Sequence, residues 1–348
     1  MFKNNIFKKN LELNPFIIAE VGQNHQGNFE IAKKYIEEFS KLGASAIKFQ
    51  TRNNKSLFHK SAFDKEYNSE NSFAKTYGLH REKLELSKLD LIKLRKVCKK
   101  NNVFFISTPF DKDSLTLLQK VKVDMIKIAS FDLGNLSLIK EVIKSKIPFI
   151  ISTGGGNNNV IEHTMSFIKK FTNNFSILHC VSKYPCSFND LNLSKITYLK
   201  KKYPNIIIGL SDHFNGTLSG PIAYKYGARI FEKHVTFSRA WKGSDHAFSL
   251  EPNGFKNFVR DIKRVPHMHK SINKNLGREN VFKKLGKSII ASRNISKGKT
   301  INLNDLDGMI FEENYFPIRN SYKLIGKKTK KNLNKGDPIT MIDIDWNA

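Results

Sequence analysis

The chain has 348 residues, 40% of them hydrophobic and 27 of them Phe, enough for a sizeable core and more than one small domain. Its formal net charge of +28 suits an anionic partner. The Lys and Arg are spread along the whole length among Asn and Glu, with no Arg-rich arm, zinc finger or helix-turn-helix spacing, so nucleic-acid binding is not expected.

Cys98, Cys180 and Cys186 form neither a disulfide framework nor a metal knuckle and fit a reducing compartment. The N-terminus has charge but no apolar signal core, and no run of about 18 apolar residues occurs. A cytoplasmic protein with no membrane partner is expected.

In chain order, short apolar and β-branched runs recur, each followed by a segment with helical spacing. They are FIIAEVG from Phe16, AIKFQT from Ala46, VFFISTP from Val103 and MIKIAS from Met125, then FIISTG from Phe149, FSILHC from Phe175, IIIGLS from Ile206 and RIFEKHV from Arg229. After the first run, Ile31, Tyr35, Ile36, Phe39 and Leu42 share a helical face, and Gly43 closes it. Eight alternating units predict a (β/α)8 TIM barrel over residues 1–265. A doubly wound open sheet is the alternative, but EVGQNHQG after the first strand lacks its Gly-rich phosphate fingerprint. From Pro266 the chain turns polar and basic without a period and reads as a linker over 266–286. Residues 287–348 carry short strands and turns, a small, mostly β domain. Lys297-Gly298 and Lys335-Gly336 sit in similar contexts there, which hints at an internal repeat.

Within RIFEKHV, three ionisable residues interrupt an apolar strand. Burying unpaired charge costs several kcal/mol, so this strand end is expected to line a site. Polar residues also end the other runs: Glu20, Asn24 and His25; Lys48 and Gln50; Ser107 and Thr108; Lys127 and Ser130; Ser152 and Thr153; His179; Ser211, Asp212 and His213. In a barrel these ends converge on one face. Period-two alternation puts Glu232 and His234 on the same side as Ile230. His213 and His234, with Glu232 beside them and Asp212 adjacent, can form an open site for a divalent ion such as Mn²⁺. Lys48 and Lys127, with the hydroxyls of Ser130, Ser152 and Ser211, can cradle a phosphate. The residues alone therefore point to metal-assisted chemistry on a phosphorylated small molecule.

FIIAEVGQNHQGNFEIAKKYI, AIKFQT, STPFD, KIAS, IISTGG, GLSDH, FEKHVTF and KGSDHAFSLEP resemble, in order and spacing, the sialic acid synthase family. KLGKSIIASRNISKGKTI and LIGKKTKKNLNKGDPI resemble its antifreeze-like (SAF) domain, which would span 287–348. The resemblance implies condensation of phosphoenolpyruvate with an N-acetylated hexose, N-acetylmannosamine or its 6-phosphate, with release of phosphate. It implies a divalent metal on His213 and His234, Mn²⁺ first, with Mg²⁺ or Co²⁺ as alternatives. Lys48, Thr108, Lys127, Ser130, Ser152, Ser182 and Ser211 match positions around phosphoenolpyruvate. Gln50, Tyr184, Glu232 and Asp245 match positions around the sugar, and Glu20 matches the carboxylate near the reacting carbon. Glu20, Glu232 and Lys48 are the catalytic candidates. A domain-swapped homodimer is also implied.

Two departures from the family pattern stand out. Where many members carry RPG in the antifreeze-like domain, this chain has GMIFEENYFP, with Ile310 and Phe311; Arg319 is the nearby candidate substitute. SFD follows the fourth run where many have Gly and Glu, leaving Asp132 as a shortened equivalent. SFDL and HAFSLEP resemble pseudaminic acid synthases, so a pseudaminic or legionaminic acid synthase acting on a diacetamido-dideoxy hexose is the alternative. The insert around Lys75, Thr76, Tyr77 and Arg81 resembles the branch using the 6-phosphate and is expected to overhang the mouth. A non-catalytic carbohydrate-binding module on a dead barrel is the rival class; intact His213, His234, Glu20 and Lys48 argue against it.

Overall fold

The computed structural model of the chain describes residues 11–270 and 277–347. All eight expected strands form: β1 (Phe16–Gly22), β2 (Ala46–Thr51), β3 (Phe104–Pro109), β4 (Met125–Ile128), β5 (Phe149–Ser152), β6 (Phe175–Cys180), β7 (Ile207–Asp212) and β8 (Ile230–His234). Neighbours pair in parallel, and β8 returns to β1, closing the barrel. Helices alternate with them. The first, Phe29–Lys41, is capped by Asn28, whose side chain accepts from the Ile31 amide; of the expected face Tyr35, Ile36 and Phe39 are buried together with Ala32, while Ile31 and Leu42 pack partly buried at its edge. No helix among the described residues is long and apolar enough to cross a membrane.

Strand parity organises the barrel. Ile17, Ile47, Phe105, Ile126, Ile151, Ile177, Leu210 and Phe231 face out and join the core packed against the helices. Residues of the opposite parity face in. The lower interior is apolar: Phe16, Ile18, Ala46, Ile106, Met125, Ile150, Leu178 and Ile230 form a separate cluster. Gly209 belongs to this floor. A Cβ there would lie 2.3 Å from the Ile230 carbonyl oxygen and 2.4 Å from Leu178 Cδ2, so only Gly lets β7 approach. One pleat above the floor, the same inward parity turns polar.

The chain divides into two compact units, residues 1–270 and 271–348. The helix after β8 runs Pro252–Lys270 with Pro266 inside it, and a short helix spans Asn280–Leu285. Helical residues thus occupy both ends of the segment that reads as a linker. Charged and amide side chains solvate the outside of such helices, which hides their period.

In the second unit, β9 (Lys287–Ala291) pairs with β10 (Leu306–Ile310), and β11 (Lys328–Thr329) with β12 (Ile344–Asp345), both antiparallel. A small core of Ile289, Ile295, Ile301, Leu324, Leu333 and Ile339 lies beneath. The repeat suggested by the two Lys-Gly turns exists at the level of hydrogen bonds. The Asn332 side chain accepts from the Lys297 amide at 2.8 Å, and Asn294 accepts from the Lys335 amide at 2.9 Å. Ile295 and Leu333 exchange both backbone bonds. Matching capping boxes, Asn302 with Asp305 and Thr340 with Asp343, close the two halves.

Candidate active site

The polar layer is the first inward pleat above the apolar floor. Ile18 is followed inward by Glu20, Ala46 by Lys48 and Gln50, Ile106 by Thr108, Met125 by Lys127, Ile150 by Ser152, and Ile230 by Glu232 and His234. These side chains line one cavity of about 330 Å³ at the carboxyl ends of the strands. Ser130, Tyr184, Ser211, His213 and Asp245 line it as well. Ser182 is not part of the wall, but its Oγ lies against Gly154, just behind it.

Two carboxylates and two ammonium groups form its floor, all nearly without solvent contact. Lys48 Nζ lies 2.9 Å from Glu20 Oε2 and 3.6 Å from Glu232 Oε1. Lys127 Nζ lies 3.3 Å from the same Glu232 oxygen. Gln50 donates to Glu20 Oε1 at 2.8 Å, and Ser211 donates to Glu232 at 3.0 Å. Burial costs each ion its hydration, but the four charges cancel, so the set is stable as a unit. The two acids differ. Burial pushes the Glu20 carboxyl up, against the pull of Lys48. Burial also pushes Glu232 up, but Lys127 and Lys48 together outweigh it and hold this carboxyl at about 2. One acid is poised to carry a proton and the other to stay ionised, which is the arrangement acid–base chemistry needs.

Glycine shapes the wall beside β5. A Cβ on Gly154 would lie 2.4 Å from Ser182 Oγ and 2.8 Å from Ser130 Oγ. The Gly154 amide donates to Ser130 at 3.2 Å. The hydroxyls of Ser152 and Ser182 have no hydrogen-bond partner, although both oxygens are buried. Buried hydroxyls without partners, near Lys127, make a pocket suited to phosphate oxygens.

The two histidines face each other with ring centroids 5.4 Å apart. His213 Nδ1 is 2.9 Å from the Val181 carbonyl, which can only accept, so Nδ1 carries the proton and Nε2 is the nitrogen free to ligate. His234 Nδ1 is buried without a hydrogen-bond partner, 3.6 Å from Asp245 Oδ2. Phe248 packs on His234 and Tyr184 on His213, at 5.1 and 4.1 Å between centroids. Both rings therefore keep a free nitrogen in a fixed orientation, and the pair fits an open divalent-metal site. Among the described residues no group of three or more His, Cys, Asp or Glu is assembled around one point. Such an ion would take its remaining ligands from water and substrate.

Not every polar strand end faces this cavity. Lys233 has the opposite parity from Glu232 and His234. It runs outward, 1% exposed, to Asp212 Oδ2 at 2.6 Å. Asp212 is thus spent on Lys233 and on Ser219 (2.5 Å) and does not join the histidines. Ser107 also faces out, where its hydroxyl pairs with Thr51 at 2.9 Å, and His179 pairs through Nε2 with the Leu191 carbonyl at 2.8 Å. Asn24 is structural: its amide donates to the Val235 carbonyl and Ser249. Asp132 is buried outside the cavity wall and accepts from Asn135.

The rim adds Gln23, Arg52, Arg81, Phe110, Cys180 and Ser244. Of these only Arg81 follows from the sequence. Cys180 and Arg52 had a readable signal, since each continues the inward parity of its strand. Arg52 stacks on Phe110 at 3.9 Å, donates to Gln50 Oε1 at 2.6 Å, and lies 3.6 Å from Glu85. Burial lowers it to about 10. Lys75, expected beside Arg81, is exposed and does not line the cavity. In the second unit, Arg319 lies over the Phe282 ring at 5.6 Å, and Ile310 is half exposed.

Residues 35–274 match the model of the NeuB family. N-acetylneuraminate-9-phosphate synthase of Drosophila melanogaster is 35% identical across 97% of this chain and 98% of its own length. The human N-acetylneuraminate-9-phosphate synthase is 32% identical across 93% and 91%. The crystal structure of N-acetylneuraminic acid synthetase from Leptospira borgpetersenii serovar Hardjo-bovis, in complex with citrate, superposes with a TM-score of 0.68 at 33% identity. It covers 79% of this chain and 93% of that one.

Proposed function

Because this chain belongs to the NeuB family, the sialic acid synthases, we propose that it condenses phosphoenolpyruvate with N-acetylmannosamine 6-phosphate to give N-acetylneuraminate 9-phosphate and inorganic phosphate. That it is a nonulosonic acid synthase rests on the family; the donor and acceptor are our reading. The observation that carries the reading is the single cavity that joins a cationic, hydroxyl-lined wall at Lys127, Ser130 and Ser152 to a carboxylate–histidine wall at Glu20, Glu232 and His234. The first suits an enol phosphate, the second an aldehyde and a water. The 6-phosphate is favoured because both animal relatives are 9-phosphate synthases, and three added carbons turn a sugar's C6 into C9.

In the reaction, Lys48 and Lys127 neutralise the carboxylate and phosphate of the donor. C3 of the enol attacks the aldehyde carbon of the open-chain sugar, forming the C–C bond, and the aldehyde oxygen takes up the proton that the attacking water releases through Glu20. Positive charge left at C2 is stabilised by the ionised Glu232. Water adds at C2 and gives its proton to Glu20. The tetrahedral centre then collapses to the ketone as the C–O bond to phosphate breaks. Gln50, Tyr184 and Asp245 hold the sugar, and Thr108, Ser182 and Ser211 hold the donor. His213 and His234 would hold a divalent ion, Mn²⁺ first, whose Lewis acidity polarises a carbonyl oxygen. We read the second unit as the antifreeze-like domain of a swapped, cytoplasmic homodimer.

The test is product analysis. Phosphate release from phosphoenolpyruvate should require the aldehyde, and the nine-carbon phosphorylated acid should appear in equal amount by mass spectrometry. Release without sugar, or no product with any N-acetylated hexose, would sink the reading. A narrower prediction concerns the donor end. Gly154→Ala places a methyl among Ser130, Ser182 and Cys180 and should raise KM for phosphoenolpyruvate roughly tenfold or more while leaving KM for the sugar within about twofold. Equal changes in both constants would mean that the loop serves general packing.

A further inference from the structure

We propose that Arg81, backed by Arg52, binds the phosphate at the far end of the acceptor, as a second anion site across the cavity from the one that takes the enol phosphate. This rests on the phosphorylated-acceptor reading above and names its determinant.

Topology separates the two sites. In the closed barrel β4 and β5 stand opposite β8 and β1, and the Arg81 guanidinium reaches the β1 side, where it donates to Gln23 just past that strand. Lys127, Ser130 and Ser152 belong to the β4–β5 wall. Arg52 directly follows β2, and Arg81 lies on the helix Tyr77–Lys83 of the insert between β2 and β3. Both line the same cavity as Lys127. A substrate pair with a phosphate on each partner would therefore meet positive charge at both ends, and carboxylates and histidines between.

The two guanidinium groups at this end are partnered differently. Glu85 compensates Arg52: it lies 3.6 Å from Nη1 and accepts from the Arg52 backbone amide at 3.0 Å. Arg81 has only neutral hydrogen-bond partners. Its Nε and Nη2 donate to Tyr77 Oη at 3.0 and 2.8 Å, and Nη1 donates to Gln23 Oε1. Among the described residues no carboxylate forms an ion pair with it. Glu85 and Asp245 offset the two guanidinium groups from a distance, but neither pairs directly with Arg81, whose charge is left for an entering anion. A phosphate is the anion that a guanidinium fork fits best.

The insert holds Arg81 ready. Tyr77 packs edge-on against Phe58 and Tyr67, at 5.4 and 5.2 Å between centroids. Asn71 accepts from the Gly243 amide at 3.0 Å, and Lys242 sits 5.2 Å over Phe73. These contacts tie the insert to the loop after β8, which brings the Ser244 hydroxyl to the same rim. The guanidinium is presented without waiting for the ligand, so little ordering cost opposes binding.

The experiment compares steady-state kinetics for N-acetylmannosamine 6-phosphate and N-acetylmannosamine in the native enzyme, Arg81→Met, Arg81→Lys and Lys75→Ala. The native enzyme should prefer the phosphorylated sugar. Arg81→Met should lower that preference roughly 10- to 100-fold, through KM for the 6-phosphate. Arg81→Lys, which keeps the charge but loses the fork, should fall between, and Lys75→Ala should keep the native preference. A native preference that survives both Arg81 substitutions would overturn this site while leaving the phosphorylated acceptor standing. A native enzyme that favours the unphosphorylated sugar would overturn both.

Discussion

Asp212→Ala is expected to lower the thermal unfolding midpoint by roughly 6–15 °C, the largest stability loss predicted for any single polar side chain in this barrel. The pair it breaks lies outside the strands, where Asp212 of β7 and Lys233 of β8 stand side by side in register. Neither side chain has more than 1% of its surface exposed. Lys233 also donates to the Phe214 carbonyl and lies 5.8 Å from the rings of Phe214 and Phe258. Removing the carboxylate strands an ammonium group in this apolar shell, with loss of the Ser219 and Phe214 hydrogen bonds. The penalty of one partner lost from a buried pair is about 3–5 kcal/mol. Asp212→Leu combined with Lys233→Met removes both charges and should recover much of it, because hydrophobic replacements of a buried pair are often neutral. A double-mutant cycle by calorimetry measures the coupling. A shift below about 2 °C for Asp212→Ala would show that water reaches Lys233 and that the pair matters little.

That pair also marks where sequence reading stops. The barrel was legible because each strand is apolar on both faces, and each helix carries its own period. The cavity was legible because polar residues end eight successive runs. Which ends face inward was only partly legible. Parity alone separates Glu232 and His234 from Lys233, and applied to every strand it also sends Ser107, His179 and Asp212 outward and brings Cys180 in. The rim was least legible. Arg52 and Arg81 meet because an aromatic cluster of Phe58, Tyr67, Phe73, Tyr77 and His80 folds the insert back on itself. No hydrophobic period announces such a cluster. In the second unit, two Lys-Gly turns were a faint sign of a repeat whose substance is a set of reciprocal backbone and Asn side-chain bonds.

The largest functional loss is expected from the histidine pair. Chelator-treated enzyme should lose at least about 100-fold in kcat/KM and recover on addition of Mn²⁺. His213→Ala and His234→Ala should each lose roughly 1000-fold and not recover. Neither should collapse the fold. His213 makes one backbone hydrogen bond, and His234 Nδ1 makes none, so each substitution forfeits packing against Tyr184 or Phe248 and about 1–2 kcal/mol. A second readout separates ligation from mere placement in the wall. An ion that binds only the folded state raises its stability by RT ln(1 + [L]/Kd), about 2.7 kcal/mol at a hundredfold excess over Kd. Mn²⁺ should therefore raise the melting midpoint of the chelator-treated native enzyme by several degrees. It should leave both Ala variants unmoved, since two nitrogens of which one is gone hold a divalent ion too weakly to register. His→Gln at either position keeps the volume of the ring but offers a poor ligand, and it should behave like Ala in the Mn²⁺ titration while melting close to the native enzyme. Full activity after exhaustive chelation, or an equal Mn²⁺-induced shift in the variants, would remove the metal from the reaction and leave His213 and His234 as hydrogen-bonding groups beside the aldehyde.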